Sequence, residues 1–242
     1  MKDTGKTQRY YLAALAARTA AFAALVLYAL ASPEGFAASL ALPWRWSPVT
    51  VAWLALMVSM ALRLFPSRWE SLGCQKAFAH RHRPTGVTPS RQERRQGDTG
   101  AAKVLALWCA VNVLFLFGQA RGWLDSRFMV CLAGFYGVCD IVCILFYCPF
   151  QSWLMRNRCC TVCRVFDWDY LMLCTPLLGI RSPLTVSACA LASVIFLRWE
   201  LGCRRHPERF YESGNDALRC AECREHLCRY KRKLAGKLSR RT

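Results

Sequence analysis

The sequence has few acidic residues and few histidines, and it carries no motif of a familiar enzyme class. It contains 15 Asp and Glu residues against 33 Lys and Arg, which gives a formal net charge of +18. It has no Gly-rich phosphate loop, HExxH pattern, Ser-His-Asp arrangement or internal repeat. These absences leave no basis for assigning a nucleotide-binding, hydrolytic or repeat architecture, and they leave open whether the protein is an enzyme.

The scarcity of histidine also bears on cofactors. A haem held by two histidines inside a helical bundle needs those side chains within the apolar segments. We therefore expect no intramembrane haem, because all four histidines lie in polar segments, at His80, His82, His206 and His226.

Apolar residues are abundant, at 55% of the chain, and they are gathered into blocks. Most blocks approach the ~20 residues that a helix needs to cross ~30 Å of hydrocarbon. The pattern predicts an all-α polytopic transmembrane helical bundle of about six helices. The blocks are residues 10–31, 48–65, 101–119, 128–147, 166–180 and 183–201.

Two of the blocks have a second interpretation. Residues 10–31 follow basic residues, as the apolar part of a cleaved signal peptide does. We favour a retained helix, because the block is long and contains Arg18. Residues 166–180 are few and include Pro176, so this block and the next one could instead form a re-entrant hairpin.

The distribution of Lys and Arg predicts the orientation. With the amino terminus inside, the inner segments carry twenty-seven of these residues and the outer loops carry four. Positive residues favour the cytoplasmic side. We therefore expect both termini in the cytoplasm, and a multi-pass protein of the cell inner membrane.

The expected organisation has two parts. Residues 1–202 form the bundle, with a flexible basic connector at 66–103 and a Cys-rich loop at 148–165, and residues 203–242 form a basic Cys-containing tail. Beside a membrane, such basic segments favour anionic lipid headgroups over nucleic acid.

The sequence contains fifteen cysteines, and none lies in a predicted outer loop. Thiols on the cytoplasmic side stay reduced, which favours metal or redox chemistry over disulfides. Six lie within apolar blocks, where packing between helices is their expected role. These six are Cys109, Cys131, Cys139, Cys143, Cys174 and Cys189.

The Cys-rich loop carries the first candidate site. Cys148 precedes a Cys-Cys-x-x-Cys run formed by Cys159, Cys160 and Cys163, and two intervening residues let a pair of thiolates reach one tetrahedral metal. The spacing identifies neither zinc nor an iron-sulfur cluster specifically. Thiol exchange by Cys160 and Cys163, or simple packing, remains an alternative. Three nearby arginines would favour the reactive thiolate, namely Arg156, Arg158 and Arg164.

The tail carries a second set of candidate ligands, near His206. They are Cys203, Cys220, Cys223 and Cys228. A structural interpretation competes with the metal interpretation here. Residues 216–234 can form a helix capped by Asn215, on which three of these cysteines share one face. The two cysteine groups could also complete one site together.

Three polar residues are expected at membrane depth. Asp140 lies within the fourth block, where an ionisable side chain is costly unless it is paired, so it is a functional candidate. Arg18 is a candidate counter-ion and Asn112 a candidate hydrogen-bond partner. By contrast, Asp167 and Asp169 are expected to reach water at the cytoplasmic edge and to need no special role.

The sequence thus favours a membrane protein with a cytoplasmic, cysteine-ligated zinc or iron-sulfur site, acting as a redox accessory or membrane anchor. The alternatives are a small-solute or ion transporter that uses Asp140, and a non-catalytic scaffold with structural zinc. A cytoplasmic protein or a second copy of the chain would be the partner.

Overall fold

The fold is described by a computed structural model, which covers residues 3–42, 46–65, 72–78, 81–157 and 159–221, and the single positions Cys223 and Cys228. Within these residues the regular structure is helical. The helices are α1 (Asp3–Ala31), α2 (Pro33–Ala41), α3 (Pro48–Leu64), α4 (Leu72–Ala77), α5 (Arg91–Ala120), α6 (Ser126–Leu145), α7 (Asp169–Cys174) and α8 (Pro183–Arg205).

Four of these helices are long and apolar enough to cross a membrane. They lie at Thr7–Ala31, Arg91–Ala120, Ser126–Leu145 and Pro183–Arg205, and α3 is a shorter apolar helix of 17 residues. Side-chain caps define where several of them begin. Ser47, Ser90, Asp125 and Ser182 each accept a hydrogen bond from a backbone N–H of the first turn of α3, α5, α6 and α8, respectively.

α1 and α6 run antiparallel, and the bundle has two distinct ends. At the Leu40 end, Ser182 donates to the Leu40 carbonyl at 2.6 Å, and Arg127 reaches the Ala29 carbonyl at 3.5 Å. The opposite end, called here the Arg63 end, holds the last turn of α3 and the end of α8, where Arg198 donates to the Arg63 carbonyl.

The block at 166–180 forms a broken helix that runs the length of the bundle. It starts with a 3-10 turn at Phe166–Trp168, continues as α7 and ends with a second 3-10 turn at Thr175–Gly179. Pro176 has no N–H to continue the α-helix. The Thr175 N–H therefore donates to the Met172 carbonyl in the tighter 3-10 pattern. At 1.5 to 2.0 Å per residue the segment is about 25 Å long.

Contacts along this segment establish where it lies. Near its start, Asp167 bonds Arg63 at 2.7 Å. Thr175 accepts from Trp108 in the middle of α5, and Gly179 accepts from Gln119 near the end of α5, each at 3.2 Å. The fifth predicted helix is therefore short and broken, but it connects the two ends of the bundle.

The expectation of a flexible connector is wrong over residues 91–103, which form the first turns of α5. Ser90 caps this helix, and the ring of Tyr211 lies against it at Gly97. Together with α4 and the end of α8, these turns enclose a second hydrophobic core at the Arg63 end. The region formed by these elements is called here the cap. The buried aromatic residues of the cap core are Trp168, Trp199, Phe210 and Tyr211.

The side chain of Asn215 joins separate segments of the cap by hydrogen bonds. This side chain is fully buried, and it donates to the carbonyls of Lys76 and Arg209 and accepts from the N–H groups of Arg83 and Ala217. All the hydrogen-bonding capacity of this amide is thereby used, which is what a buried amide requires.

The helix expected to start at residue 216 is a single 3-10 turn, Asp216–Leu218, capped by Asn215. Leu218 is buried in the protein interior, and Arg219 then adopts an extended backbone that ends the turn. Beyond Ala221 the predicted helix falls outside the described residues, except at Cys223 and Cys228.

Arg63 makes the central ion pair of the fold. Its guanidinium contacts Asp167 at 2.7 Å and Asp169 at 2.5 Å and lies over the ring of Tyr170. The side chain of Asp167 is 2% exposed, so the expectation that it reaches water is wrong. The physical reason is tertiary, because Arg63 comes from α3, 104 residues earlier in the chain.

We predict that Arg63→Met lowers the free energy of unfolding by about 3 to 5 kcal/mol, because it leaves two buried carboxylates without their cation. Equilibrium unfolding in mixed micelles measures this change. Arg127→Met is the matched control, since Arg127 pairs with Asp125 at an exposed site and should cost about 1 kcal/mol or less. Equal losses in the two variants would show that Arg63 is not a central contact.

Candidate functional site

The Cys-rich loop folds back onto the end of α6. After Cys148, residues Phe150–Met155 form one wide π-helical turn, which ends at Arg156 with a left-handed backbone (φ 52°). This reversal returns the chain to the end of α6, where Cys160–Val162 form a 3-10 turn. Two distant parts of the predicted ligand motif are thereby brought close together.

Gln151 lies between two of the predicted ligands. Its backbone N–H donates to Cys148 Sγ at 3.4 Å, and its side-chain oxygen Oε1 accepts from Cys160 Sγ at 2.7 Å. The amide nitrogen Nε2 donates to the Asn157 carbonyl at 2.9 Å, which holds the Gln151 side chain in place. Cys148 and Cys160 thus share one neighbour and face the same space.

Cys143 also belongs to this group, although sequence analysis assigned it to helix packing. Its thiol is hydrogen-bonded to the thiol of Cys148, and its carbonyl accepts from Cys160 Sγ at 3.3 Å. A sequence signal for this role existed, because Cys143 occupies the last turn of α6 and lies five residues before Cys148. Cys143, Cys148 and Cys160, together with Gln151, are called here the thiol site.

Cys163 lies next to the thiol site but is buried. Its thiol accepts a hydrogen bond from the Asn157 side chain, and its charge would interact with that of Cys148. Burial raises the pKa of the Cys163 thiol to about 11. The positive charge of Arg164 favours the thiolate, as expected from the sequence, but burial has the larger effect and the thiol form predominates at Cys163.

Arg164, the residue after Cys163, is also paired with carboxylates. Its guanidinium makes two hydrogen bonds of 2.7 Å to Glu200 and lies 3.5 Å from Asp98. Arg158 falls outside the described residues. Cys159 is half-buried and precedes the 3-10 turn with an extended backbone.

The second cysteine group is spread between the interior and the surface. Cys203 is buried in the cap core, where it hydrogen-bonds the side chain of Tyr211. Cys220 is exposed, and the Cys223 N–H donates to the Cys220 carbonyl at 3.3 Å, whereas Cys228 is half-buried. His206 interacts with Glu208 at 3.3 Å.

Across the described part of the chain, no group of three or more His, Cys, Asp or Glu side chains is arranged as a ready metal site. The thiol site instead consists of hydrogen-bonded thiols whose protons are shared among sulfur and oxygen acceptors. Thiols must lose their protons before they can bind a metal.

The structure brings together two of the three polar residues expected at membrane depth. Arg18 Nη1 bonds Asp140 at 2.7 Å and the Gly137 carbonyl at 2.8 Å. Asn112 lies apart from this pair, because it donates to the Trp108 carbonyl at 3.0 Å and accepts from Tyr136 at 3.4 Å.

Comparison with known protein families, with curated proteins and with solved structures finds no match for this chain. The class that the structure supports is a helical protein with four helices able to cross a membrane.

We predict that Cys163 reacts slowly with iodoacetamide, and that its rate rises about tenfold per pH unit between pH 7 and pH 9. The reactive species is the thiolate, which is about one part in a thousand at pH 8 for a thiol whose pKa is about 11. Mass spectrometry of alkylated, chelator-treated protein measures the rate, with exposed Cys220 as the reference. Equal rates for the two thiols at pH 7.5 would contradict the burial of Cys163.

Proposed function

We propose that this chain is a six-pass inner-membrane protein that binds a metal ion or an iron-sulfur cluster through thiols at its cytoplasmic face. The observation that carries the proposal is the convergence of Cys143, Cys148 and Cys160 around Gln151. Three thiols from two separate segments, at the end of one helix, give a soft-metal site most of its ligands.

The proposed topology counts the four long helices, α3 and the broken segment at 166–179 as six passes. Support comes from their alternating direction and from contacts of the broken segment with both ends of the bundle. We assign the Arg63 end to the cytoplasm, because the segments at that end carry most of the Lys and Arg. Both termini are then cytoplasmic, and the thiol site lies on the reducing side.

The proposed ligands are Cys143, Cys148, Cys160 and Cys163. Cys143 replaces Cys159 in the set expected from spacing, because Cys143 contacts two of the other members. Metal binding would replace the thiol protons, and small side-chain rotations would be needed to bring the four sulfurs to ~2.3 Å from zinc. Cys203, Cys220, Cys223 and Cys228 remain a second candidate set with weaker geometric support.

The identity of the metal separates the two roles that the proposal allows. Zinc has no redox chemistry, so it would fasten the Cys-rich loop to α6 and shape a surface for a cytoplasmic partner. An iron-sulfur cluster would instead exchange electrons with such a partner at the membrane face.

We predict that protein purified anaerobically in detergent contains about one metal site per chain, and that Cys143→Ser removes most of the metal. Serine conserves size but replaces the soft sulfur ligand. Metal analysis, acid-labile sulfide analysis and visible absorption measure the occupancy. Iron with sulfide would indicate electron transfer, and zinc alone would indicate a scaffold.

Two controls make the result specific. Cys109→Ser changes an exposed cysteine of α5 and should leave the metal content unchanged. Cys159→Ser distinguishes the ligand set proposed here, which contains Cys143, from the set expected from spacing, which contains Cys159. Loss of metal in Cys159→Ser but not in Cys143→Ser would favour the spacing-based set, and absence of metal from the folded wild-type protein would refute the proposal.

A further inference from the structure

A large cavity lies within the bundle, away from the thiol site. Its volume is about 510 Å³, and it is lined mainly by residues of α1, α3, α6, α7 and the start of α8. The cavity exists because many of the facing positions have small side chains that leave the helices unfilled between them. Ala17, Ala21, Ala52, Ala55, Gly134 and Gly137 are among these positions.

The two halves of the cavity differ in polarity. The half toward the Leu40 end is lined by Leu40, Val49 and Leu184, and the hydroxyl of Thr185 there already donates to the Ile180 carbonyl at 2.6 Å. The half toward the Arg63 end contains two Arg-Asp pairs and several hydroxyl groups. The polar residues of this half are Arg18, Asp140, Arg63, Asp169, Tyr10, Tyr11, Ser59 and Tyr170.

The Arg18–Asp140 pair, the more exposed of the two, has hydrogen-bonding capacity left over. The side chains of Arg18 and Asp140 keep 31% and 22% of their accessible surface, although both line the cavity. Within the part of the chain that the structure describes, only Nη1 of Arg18 and Oδ2 of Asp140 are engaged. A donor and an acceptor therefore remain available side by side.

Charge pairing limits what the polar half can accept. Arg18 already pairs with Asp140, and Arg63 pairs with both Asp167 and Asp169, so an anionic head group would either break a pair or remain uncompensated at low dielectric. An uncharged group that both accepts and donates hydrogen bonds can bind without breaking an ion pair and without leaving a charge uncompensated.

The aromatic side chains narrow the class of possible ligands further. Six line the cavity, and flat rings favour stacking against other flat rings. They are Tyr10, Tyr11, Phe22, Trp53, Phe166 and Tyr170. The volume also falls in the range of small-molecule pockets, about 300 to 1,000 Å³.

We propose that the cavity binds a membrane quinone, with the ring in the polar half and the start of the apolar tail directed toward the Leu40 end. Arg18 donates to a quinone carbonyl oxygen, and Asp140 accepts from the hydroxyl group of the reduced form. The ligand enters from the hydrocarbon region, where quinones are dissolved. This binding does not depend on whether the thiol site holds a metal.

The test is equilibrium binding of decylubiquinone to the full chain in lipid nanodiscs, with protein-free nanodiscs as the partition blank. We expect saturable binding to the wild-type protein and a Kd raised at least tenfold by Ala55→Phe. Ala55 lines the cavity and is exposed, so a larger side chain has room to enter the cavity. Ala110→Phe is the matched control on α5; it lies outside the cavity and should change the Kd less than twofold.

A second variant tests the polar half. Asp140→Asn keeps the shape of the side chain, and we expect it to weaken binding of reduced decylubiquinone more than binding of the oxidised form. Absence of saturable binding, or equal binding by the Ala55→Phe and wild-type proteins, would overturn the proposal. Equal competition by monoolein would overturn the choice of a quinone, and stronger competition by palmitate would overturn the charge argument. The metal content of each preparation is measured separately, so failure of either proposal can be told from failure of the other.

Discussion

The buried guanidinium of Arg63 is the contact on which the rest of the structure depends. It joins the end of α3 to Asp167 and Asp169, and Arg198 of α8 bonds its backbone carbonyl. Three segments distant in sequence are thereby held at the same level of the bundle. Since α7 is only six residues long, its own helical hydrogen bonds give it little stability. The ion pairs therefore add to the anchoring that the buried side chains of Tyr170 and Cys174 give it in the main core.

This anchoring also creates the two candidate sites. The chain enters the broken segment directly after the loop that contains Cys160 and Cys163, so the contact of Asp167 with Arg63 holds that loop near the end of α6. Asp169 on the next turn faces the cavity. Asp167 and Asp169 thus connect the loop of the thiol site and the lining of the cavity to the same arginine.

The sequence predicts the long helices well, because an apolar run of about 20 residues has few alternatives in a membrane. It also indicates the break at Pro176, since the missing N–H is a local property. Prediction from the sequence fails where tertiary contacts determine the local structure. The polar residues after Ser90 are helical because they cover the cap core, and Asp167 is buried because a distant arginine reaches it. Cys143 was missed for a different reason: its partner Cys148 is only five residues away, but the position of Cys143 in an apolar block suggested packing between helices.

The position of α6 explains how one helix can serve both sites. Residues three positions apart on an α-helix are separated by about 4.5 Å along the axis and lie about 60° apart around it. Asp140 and Cys143 have this spacing, so they lie on the same side of α6, with Asp140 at the level of the cavity and Cys143 one turn further along, at the level of the returning loop. A metal at Cys143 would fix the last turn of α6 without using any atom of Asp140. The two sites are therefore neighbours that share a rigid support but no ligand, which is why their occupancies can be measured independently.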